Sequence, residues 1–287
     1  MSVETLKLRQ QAREFSAKKR LGQHFLTNAE VLTRIAEQAN ICPGDHLLEI
    51  GPGLGFLTKI LIDMGATVTA VELDIDCVKY LNSLKLPGLK VIHQDFLQCD
   101  LEEILASRTK VIGNIPYQIT TPIIGRLLGE IGEPSTWLNS IESIIFTMQR
   151  EVAHRLIANP GEENYSQVSL LANYFADREL LFTIAAQDFS PAPEVTSAVV
   201  RLTPYGELKV NCLNHKLLRQ IIQAGFRQRR KMLKNNLAFL HFDPNVLNKI
   251  FAELNFDPQV RAERLGLGQF ALLADKVQEC RDKKPLH

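Results

Sequence analysis

The amino-acid sequence predicts an α/β fold, a mostly parallel sheet with an antiparallel addition at one edge, followed by a small C-terminal helical domain. Three observations carry that expectation. Strand-like and helix-like segments alternate from His46 to Gly113. A glycine turn, Gly51-Pro52-Gly53-Leu54-Gly55, follows the first strand, and the texture becomes helical beyond Pro204.

Thr27-Asn28-Ala29-Glu30 fits a capping box that opens a helix to about Ala39, and Cys42-Pro43-Gly44-Asp45 turns the chain. His46–Ile50 is a strand entering the glycine turn, and Phe56–Met64 has helical periodicity that Gly65 stops. Thr67–Val71 is β-branched and strand-like, Asp76–Leu84 helical, and Leu89–His93 and Lys110–Gly113 are further strands. Ser143–Met148 reads as a buried strand, and Arg150–Ala158 as a helix stopped by Asn159-Pro160-Gly161. Runs around Leu180–Ile184 and Thr196–Leu202 supply the antiparallel edge. Helices are expected near His215–Arg227, Lys231–Leu240, Pro244–Leu254 and Gly268–Cys280, after a domain boundary between Pro204 and Asn211. Arg281–His287 reads as a frayed tail.

With 287 residues, 45% of them hydrophobic, the chain can bury a sizeable core. Met1–Arg20 is a polar, basic arm without an apolar run, and no stretch of about 18 apolar residues occurs, so neither a leader nor a membrane span is expected and the cytoplasm is the expected location. The five cysteines are scattered and never spaced C-x-x-C, and the seven histidines form no ligand pair. Neither a disulfide framework nor a metal site is expected. A net charge of +1 hides two basic clusters, Lys18-Lys19-Arg20 and the group Arg227, Arg229, Arg230, Lys231 and Lys234. Each reads equally as a solvated face or as a contact for a polyanion.

In a doubly wound sheet, ligands gather at the carboxyl ends of the strands. Gly51, Gly53 and Gly55 form the turn after the first strand, Glu72 ends the second, and Asp95 with Phe96 follows the third. A carboxylate at Glu72 suits a ribose diol, and Asp95 suits an adenine exocyclic amine. Dinucleotides and S-adenosylmethionine share this geometry. A G-x-G-x-x-G fingerprint starting at Gly51 needs glycine where Phe56 stands, so a cofactor without phosphates fits better.

The fourth strand runs into Asn114-Ile115-Pro116-Tyr117. These residues also suit an ordinary proline turn. Read chemically, they address an adenine-type amine, whose lone pair is delocalised into the ring and which needs both N–H groups held. Asn114 Oδ1 is one expected acceptor and the Pro116 carbonyl the other, with Tyr117 as a stacking face for an extruded base.

The chain resembles the ribosomal RNA adenine dimethylase family from Lys18 to Asp275. The resemblance rests on Lys19–Leu26, Glu49–Gly53, Val71–Asp74, Gly113–Tyr117 and Phe189–Val200. It implies a Rossmann-like class I methyltransferase domain over 21–206, using S-adenosylmethionine, and a helical RNA-binding domain over 207–287. It implies that His24 and Leu26 join Gly51, Gly53, Glu72, Asp95, Phe96 and Asn114 in holding the methyl donor, and that Phe189 stacks the target adenine opposite Tyr117. His24 stands where many members have Asn, and Ile115 replaces a frequent Leu; Ser190 and Ala192 thin a loop rich in proline and aromatic residues. The implied substrate is two neighbouring adenines in the 3′-terminal stem-loop of 16S rRNA within an immature small ribosomal subunit, dimethylated by a monomer without metal. Both basic clusters are then read as phosphate contacts. The competing readings are a nicotinamide-dependent dehydrogenase, a DNA adenine methylase, and a non-catalytic RNA-binding assembly factor on the same fold.

Overall fold

The structure is a computed structural model that describes residues 2–15, 17–18, 21–105 and 108–283. Helix α1 (Val3–Glu14) opens it, within the segment expected to be only a basic arm. Ser2 caps α1 by accepting from the Thr5 amide, and Thr5 and Ala12 are its buried residues. Strand β1 (Phe25–Leu26) leads into α2 (Ala29–Gln38). The α2 cap is Asn28, which accepts from the Glu30 and Val31 amides, one residue later than the expected capping box places it. Thr27 instead donates its hydroxyl to the Asp188 carbonyl at 3.0 Å.

The alternation then follows the sequence closely: β2 (His46–Ile50), α3 (Phe56–Asp63), β3 (Thr67–Glu72), α4 (Ile75–Ser83), β4 (Leu89–His93), α5 (Leu101–Ile104), β5 (Thr109–Asn114) and α6 (Thr120–Leu128). A short hairpin, β6 (Gly129–Glu130) with β7 (Glu133–Pro134), precedes β8 (Ile141–Gln149), α7 (Arg150–Ile157) and α8 (Gln167–Phe175). Three strands, β9 (Ala176–Ile184), β10 (Phe189–Ser190) and β11 (Ser197–Pro204), complete the β structure.

Seven strands form one sheet in the order β4-β3-β2-β5-β8-β11-β9. The pairs β4–β3, β3–β2, β2–β5 and β5–β8 are parallel, and β11 lies antiparallel to β8. Crossover helices on a parallel sheet cover both of its faces, which is why Leu47, Leu48, Glu49 and Ile50 of β2 are all buried in succession. On one face, Leu32, Ile35 and Ala36 of α2 and Leu57 and Leu61 of α3 share a core with Leu47, Val68, Ala70, Ile112, Ile145 and Val199 of the sheet. The β1–β10 pair, Phe25 opposite Ser190 and Leu26 opposite Phe189, ties the segment before α2 to the loop before β11.

The chain divides into two compact units, but not at a single point near Pro204. One unit is Met1–Leu127, Thr136–Ala153 and Asp177–Pro204; the other is Leu128–Ser135, His154–Ala176 and Tyr205–His287. The expected contiguous domain over 21–206 thus gives up the β6–β7 hairpin and the segment around α8 to the second unit. There, Lys216 and Arg219 pair with Glu133 at 3.1 and 3.0 Å, and the Tyr165 hydroxyl donates to the Leu265 carbonyl at 3.0 Å. The second unit also holds α9 (His215–Arg227), α10 (Leu233–Asn236), α11 (Pro244–Glu253) and α12 (Leu267–Asp282). The helix expected over Lys231–Leu240 is broken: α10 has four residues, followed by a 3₁₀ turn at Ala238–Leu240. Arg281 and Asp282 of the expected tail complete α12, and residues 284–287 of that tail lie outside the described residues. No helix among the described residues is long and apolar enough to cross a membrane.

Candidate active site

Four neighbouring strands, β4, β3, β2 and β5, end on one cavity. His24, Leu26, Gly51, Gly53, Glu72, Asp95, Phe96, Asn114, Pro116 and Tyr117 all line it. Sequence reasoning had gathered these residues from five separate segments.

The glycine turn is shaped by close approach. Gly53 has φ +57°, and a Cβ there would lie 2.9 Å from Phe25 Cε1. Gly55, at φ +72°, begins α3 where a Cβ would come 2.6 Å from Leu81 Cδ2 of α4. Gly55 therefore gives close helix packing in a turn that lacks the last glycine of the dinucleotide fingerprint.

Glu72 is buried, with 7% of its surface exposed. Its Oε2 accepts from the Gly53 amide at 3.0 Å and its Oε1 from the Asp74 amide at 2.8 Å. Burial pushes its carboxyl above the usual range, and these amides oppose the shift. A carboxylate has about four acceptor sites, so backbone hydrogen bonds from Asp74, Gly53 and Leu73 fix it and still leave it able to receive a hydroxyl. Asp95 caps a 3₁₀ turn through Oδ1, which accepts from the Leu97 amide at 2.9 Å. Its structural and binding readings are compatible, because the cap engages one of its two oxygens.

Glu49 lies at the floor of the cavity, 2% exposed, and accepts the Thr58 hydroxyl at 2.6 Å. Burial pushes its carboxyl from 4.5 up to about 7, against the Thr58 hydrogen bond and with a contribution from nearby Glu72. The folded protein thus holds this proton more tightly than the unfolded chain, and the associated stability declines as pH rises from about 4.5 through 7. Glu49→Gln, which mimics the protonated form, should match the wild type near pH 4, below the start of that window, and exceed it by about 3 kcal/mol at pH 8. Urea denaturation at the two pH values measures this, and a pH-independent difference between the proteins would refute it.

At the end of β5, Asn114 donates Nδ2 to the His24 carbonyl at 2.8 Å, leaving the Oδ1 end for a donor in the cavity. The Pro116 carbonyl, the second expected acceptor, is engaged within the chain. It accepts from the Ile119 amide at 3.1 Å and the Thr120 hydroxyl at 3.4 Å, because the chain folds into a 3₁₀ turn directly after it. The preceding carbonyl, of Ile115, receives no backbone hydrogen bond among the described residues. Tyr117 is held by its hydroxyl against Ser197 Oγ at 2.7 Å, and burial raises its phenol pKa against that bond.

Two residues expected in the site are placed elsewhere by the structure. Phe189 does not line the cavity: it is 4% exposed and packs in the core with Leu26, Leu32, Ile184 and Val199. Its register opposite Leu26 in the β1–β10 pair places it there. Lys18 is not free for phosphate. Its ammonium pairs with Asp74 and with Asp76 Oδ2 at 2.6 Å, while Gln23 bridges the Lys18 amide and Asp74 Oδ2, both at 2.8 Å. The hydrogen bond to Asp74, then that to Asp76, raises the Lys18 pKa.

Lys19 and Arg20 lie outside the described residues. In the second cluster, Arg229 braces its own unit, donating to the Glu163 and Tyr165 carbonyls at 2.9 and 3.1 Å. Arg227, Arg230 and Lys231 are exposed and Lys234 is half-buried.

Sequence reasoning missed Gln23, Ser197 and the Ile115 carbonyl. All three lie inside runs that carry the family resemblance, so the signal was present without a role attached. Among the described residues, the cavity lining holds three carboxylates, Glu49, Glu72 and Asp95, and neither lysine nor arginine. Such a lining suits a cationic donor and disfavours a pyrophosphate. Among the described residues there is also no cluster able to hold a metal ion.

Comparison with known proteins places this geometry. Residues 14–278 match the sequence profile described as Ribosomal RNA adenine dimethylase. The chain is 40% identical over 270 residues to a protein of Picosynechococcus sp. named Ribosomal RNA small subunit methyltransferase A, covering 91% of this chain and 97% of that one. Its fold is shared by a dimethyladenosine transferase from Plasmodium falciparum, at 24% identity and TM-score 0.72, covering 87% and 96% of the two chains. It is shared equally by the 23S rRNA methyltransferase ErmE, at 24% identity and TM-score 0.69, covering 88% and 99%.

Proposed function

The chain belongs to the ribosomal RNA adenine dimethylase family, and on that premise we propose that it dimethylates N6 of two adjacent adenines in the 3′-terminal stem-loop of small-subunit rRNA. The observation that carries the chemistry is the orientation of Asn114. Its amine end is tied to the His24 carbonyl, so its Oδ1 is set as an acceptor at the mouth of β5.

The residues present fit S-adenosylmethionine. Glu72 would receive the ribose hydroxyls, Asp95 the adenine amine of the donor, and Leu26 and Phe96 its apolar surfaces, over the turn at Gly51 and Gly53. When bound, this donor supplies an electrophilic methyl group on a cationic sulfonium, a charge that the acidic lining tolerates.

The protein's own contribution is positioning. Asn114 Oδ1 and the Ile115 carbonyl hold the two N6 hydrogens, which fixes the direction of the nitrogen lone pair. Pro116 acts one residue earlier than expected, by confining Ile115 to extended backbone and so fixing that carbonyl. Tyr117 offers its face to the extruded base. The methylated amine is acidic enough to lose a proton to solvent, so no strong base is required.

The small-subunit assignment is supported by the curated relative's name and its coverage of nearly the whole chain; the fold alone is shared with a 23S enzyme. The proposed protein works as a monomer in the cytoplasm on an immature small subunit. Exposed Arg227, Arg230 and Lys231 are the proposed phosphate contacts. Arg230→Ala with Lys231→Ala should weaken subunit binding and reduce the slope of log affinity against log salt by about 1–2, whereas Lys18→Ala should leave that slope unchanged. Filter binding across a salt series measures both.

The decisive experiment maps dimethyladenosine on rRNA from cells lacking this protein. Loss of the adjacent pair from small-subunit rRNA, restored by the wild type, is expected. Loss confined to large-subunit rRNA, or methylation of duplex DNA in preference to immature subunits, would overturn the assignment.

A further inference from the structure

Resting on the reading of Asp95 as the contact for the donor's adenine amine, we propose that Arg126 is a positioning residue that holds the Asp95 turn from behind. Asp95 caps a 3₁₀ turn of three residues, Phe96–Gln98, beyond the end of β4. Within it, the Asp95 carbonyl accepts from the Gln98 amide at 2.9 Å, and the Cys99 amide donates to the Phe96 carbonyl at 3.3 Å. A 3₁₀ turn this short has poor hydrogen-bond geometry and little stiffness of its own. Its hold on a ligand therefore depends on what grips its ends.

Arg126 grips the far end. From α6 its Nη2 donates to the carbonyl of Cys99, a residue only 1% exposed. Cys99 Sγ in turn donates to the Asp95 carbonyl at 3.5 Å, which passes the contact back to the residue that meets the ligand. A hydrogen bond from a guanidinium is stronger than one from a neutral donor. Trp137 keeps the guanidinium in place: Arg126 Cζ lies 5.6 Å from the indole centroid, and the indole Nε1 donates to the Arg126 carbonyl at 3.2 Å. A second tie runs alongside, from the Thr136 hydroxyl to Glu102 Oε1 of α5 at 2.6 Å. Arg126 Nε is buried and has no hydrogen-bond partner among the described residues. An unpaired buried donor costs stability, so the arrangement is set by the Cys99 contact rather than by full satisfaction of the guanidinium.

Helix α6 starts at Thr120, directly after the turn that carries Tyr117. The guanidinium thus links the turn at β4, on the edge of the sheet, with the helix that follows the acceptor motif at β5. Loosening that link should relax Asp95 and leave the acceptor motif in place, because Asn114 is held by the His24 carbonyl and Tyr117 by Ser197.

The test compares full-length wild type, Arg126→Met, Arg126→Lys and Asp95→Ala by calorimetry. The two ligands are S-adenosylhomocysteine and S-inosylhomocysteine, whose base carries an oxo group in place of the exocyclic amine. Wild type should prefer the adenosyl ligand by about tenfold or more, as a site built to accept that amine does. Arg126→Met keeps an apolar stem and removes the donor. It should bind the adenosyl ligand about tenfold more weakly and the inosyl ligand within about twofold of wild type, so that the preference collapses. Arg126→Lys, which can still donate to the Cys99 carbonyl, should recover most of it. In single-turnover methylation of immature small subunits, Arg126→Met should need more donor for half-saturation, with the rate at saturating donor changed by less than about threefold. Equal losses for both ligands, or no loss for either, would overturn the proposal, since a merely structural role weakens both alike. Should urea denaturation show that Arg126→Met does not fold, Arg126→Gln, uncharged and shorter, carries the same expectation. An Asp95→Ala protein that keeps the wild-type preference would instead sink the reading of Asp95, a result distinct from an Asp95-dependent preference to which Arg126 is indifferent.

Discussion

Asn114→Ala is expected to lower methylation of the small subunit by a factor on the order of 10²–10³, the usual cost of removing a preorganised polar contact to the reacting group. The variant loses the Oδ1 acceptor, and with it one of the two contacts that aim the amine. It should retain most donor affinity, because Glu72 is fixed independently by the Gly53 and Asp74 amides and Asp95 by its own cap. Single-turnover methylation with saturating donor reads the first effect, and calorimetry with S-adenosylhomocysteine the second. Normal turnover would remove Asn114 from the chemistry. Lost donor binding with an unchanged single-turnover rate would make it a donor contact only. Abolished turnover with intact subunit binding would also separate catalysis from a purely architectural role in assembly.

The largest effect on stability is expected one residue earlier. A Cβ on Gly113 would lie 2.5 Å from the Ile50 carbonyl oxygen and 2.9 Å from Ile115 Cδ1. The first neighbour is backbone of β2 in the middle of the sheet, flanked by β3 and β5, and it has nowhere to retreat. Gly113→Ala should therefore cost about 3 kcal/mol or more, in the class of overpacked core substitutions. Gly125 in α6 is the internal control: nothing lies within 4 Å of its added Cβ. Gly125→Ala should be neutral or stabilise by up to about 1 kcal/mol. Equilibrium urea denaturation of both variants tests the contrast, and equal midpoints would refute it.

The parts of the fold legible in the sequence are those where burial imposes a period. The β2 run of His46–Ile50 and the α9 span of His215–Arg227 emerge with the expected ends because one is covered on both faces and the other has a clear apolar stripe. Helix α1 was hidden because only Thr5 and Ala12 of it are buried, too few and too small to show a period. The split division of the chain was hidden because the β6–β7 hairpin is too short to show a period, and it meets α9 through ion pairs to Arg219 and Lys216 and through Gly132 set against His215. In the site, strand ends predicted position well: the glycine turn, Glu72, Asp95 and Asn114 meet. What stayed hidden was anything decided by a partner, of side chain or backbone. Lys18 looked like a phosphate contact until Asp74 and Asp76 took its charge, and Pro116 looked like an acceptor until the turn behind it took its carbonyl. Phe189 was assigned from the family pattern, and the structure packs it in the core beside its cross-strand neighbour Leu26.

The strand order also acts as a ruler. Asp95, Glu72, Gly51 and Asn114 stand at the ends of four consecutive strands, β4-β3-β2-β5. Strands in a sheet are spaced by about 4.8 Å, so the row measures roughly 14 Å from first to last. The graduations are set by backbone hydrogen bonds, which no single side-chain change can rescale. Mutations at the β4 end can retune the grip on one partner without shifting the distance to the other. Divergence at the β5 end, and in the loops beyond it, can likewise exchange one nucleic acid target for another while the reach of the transferred carbon stays the same.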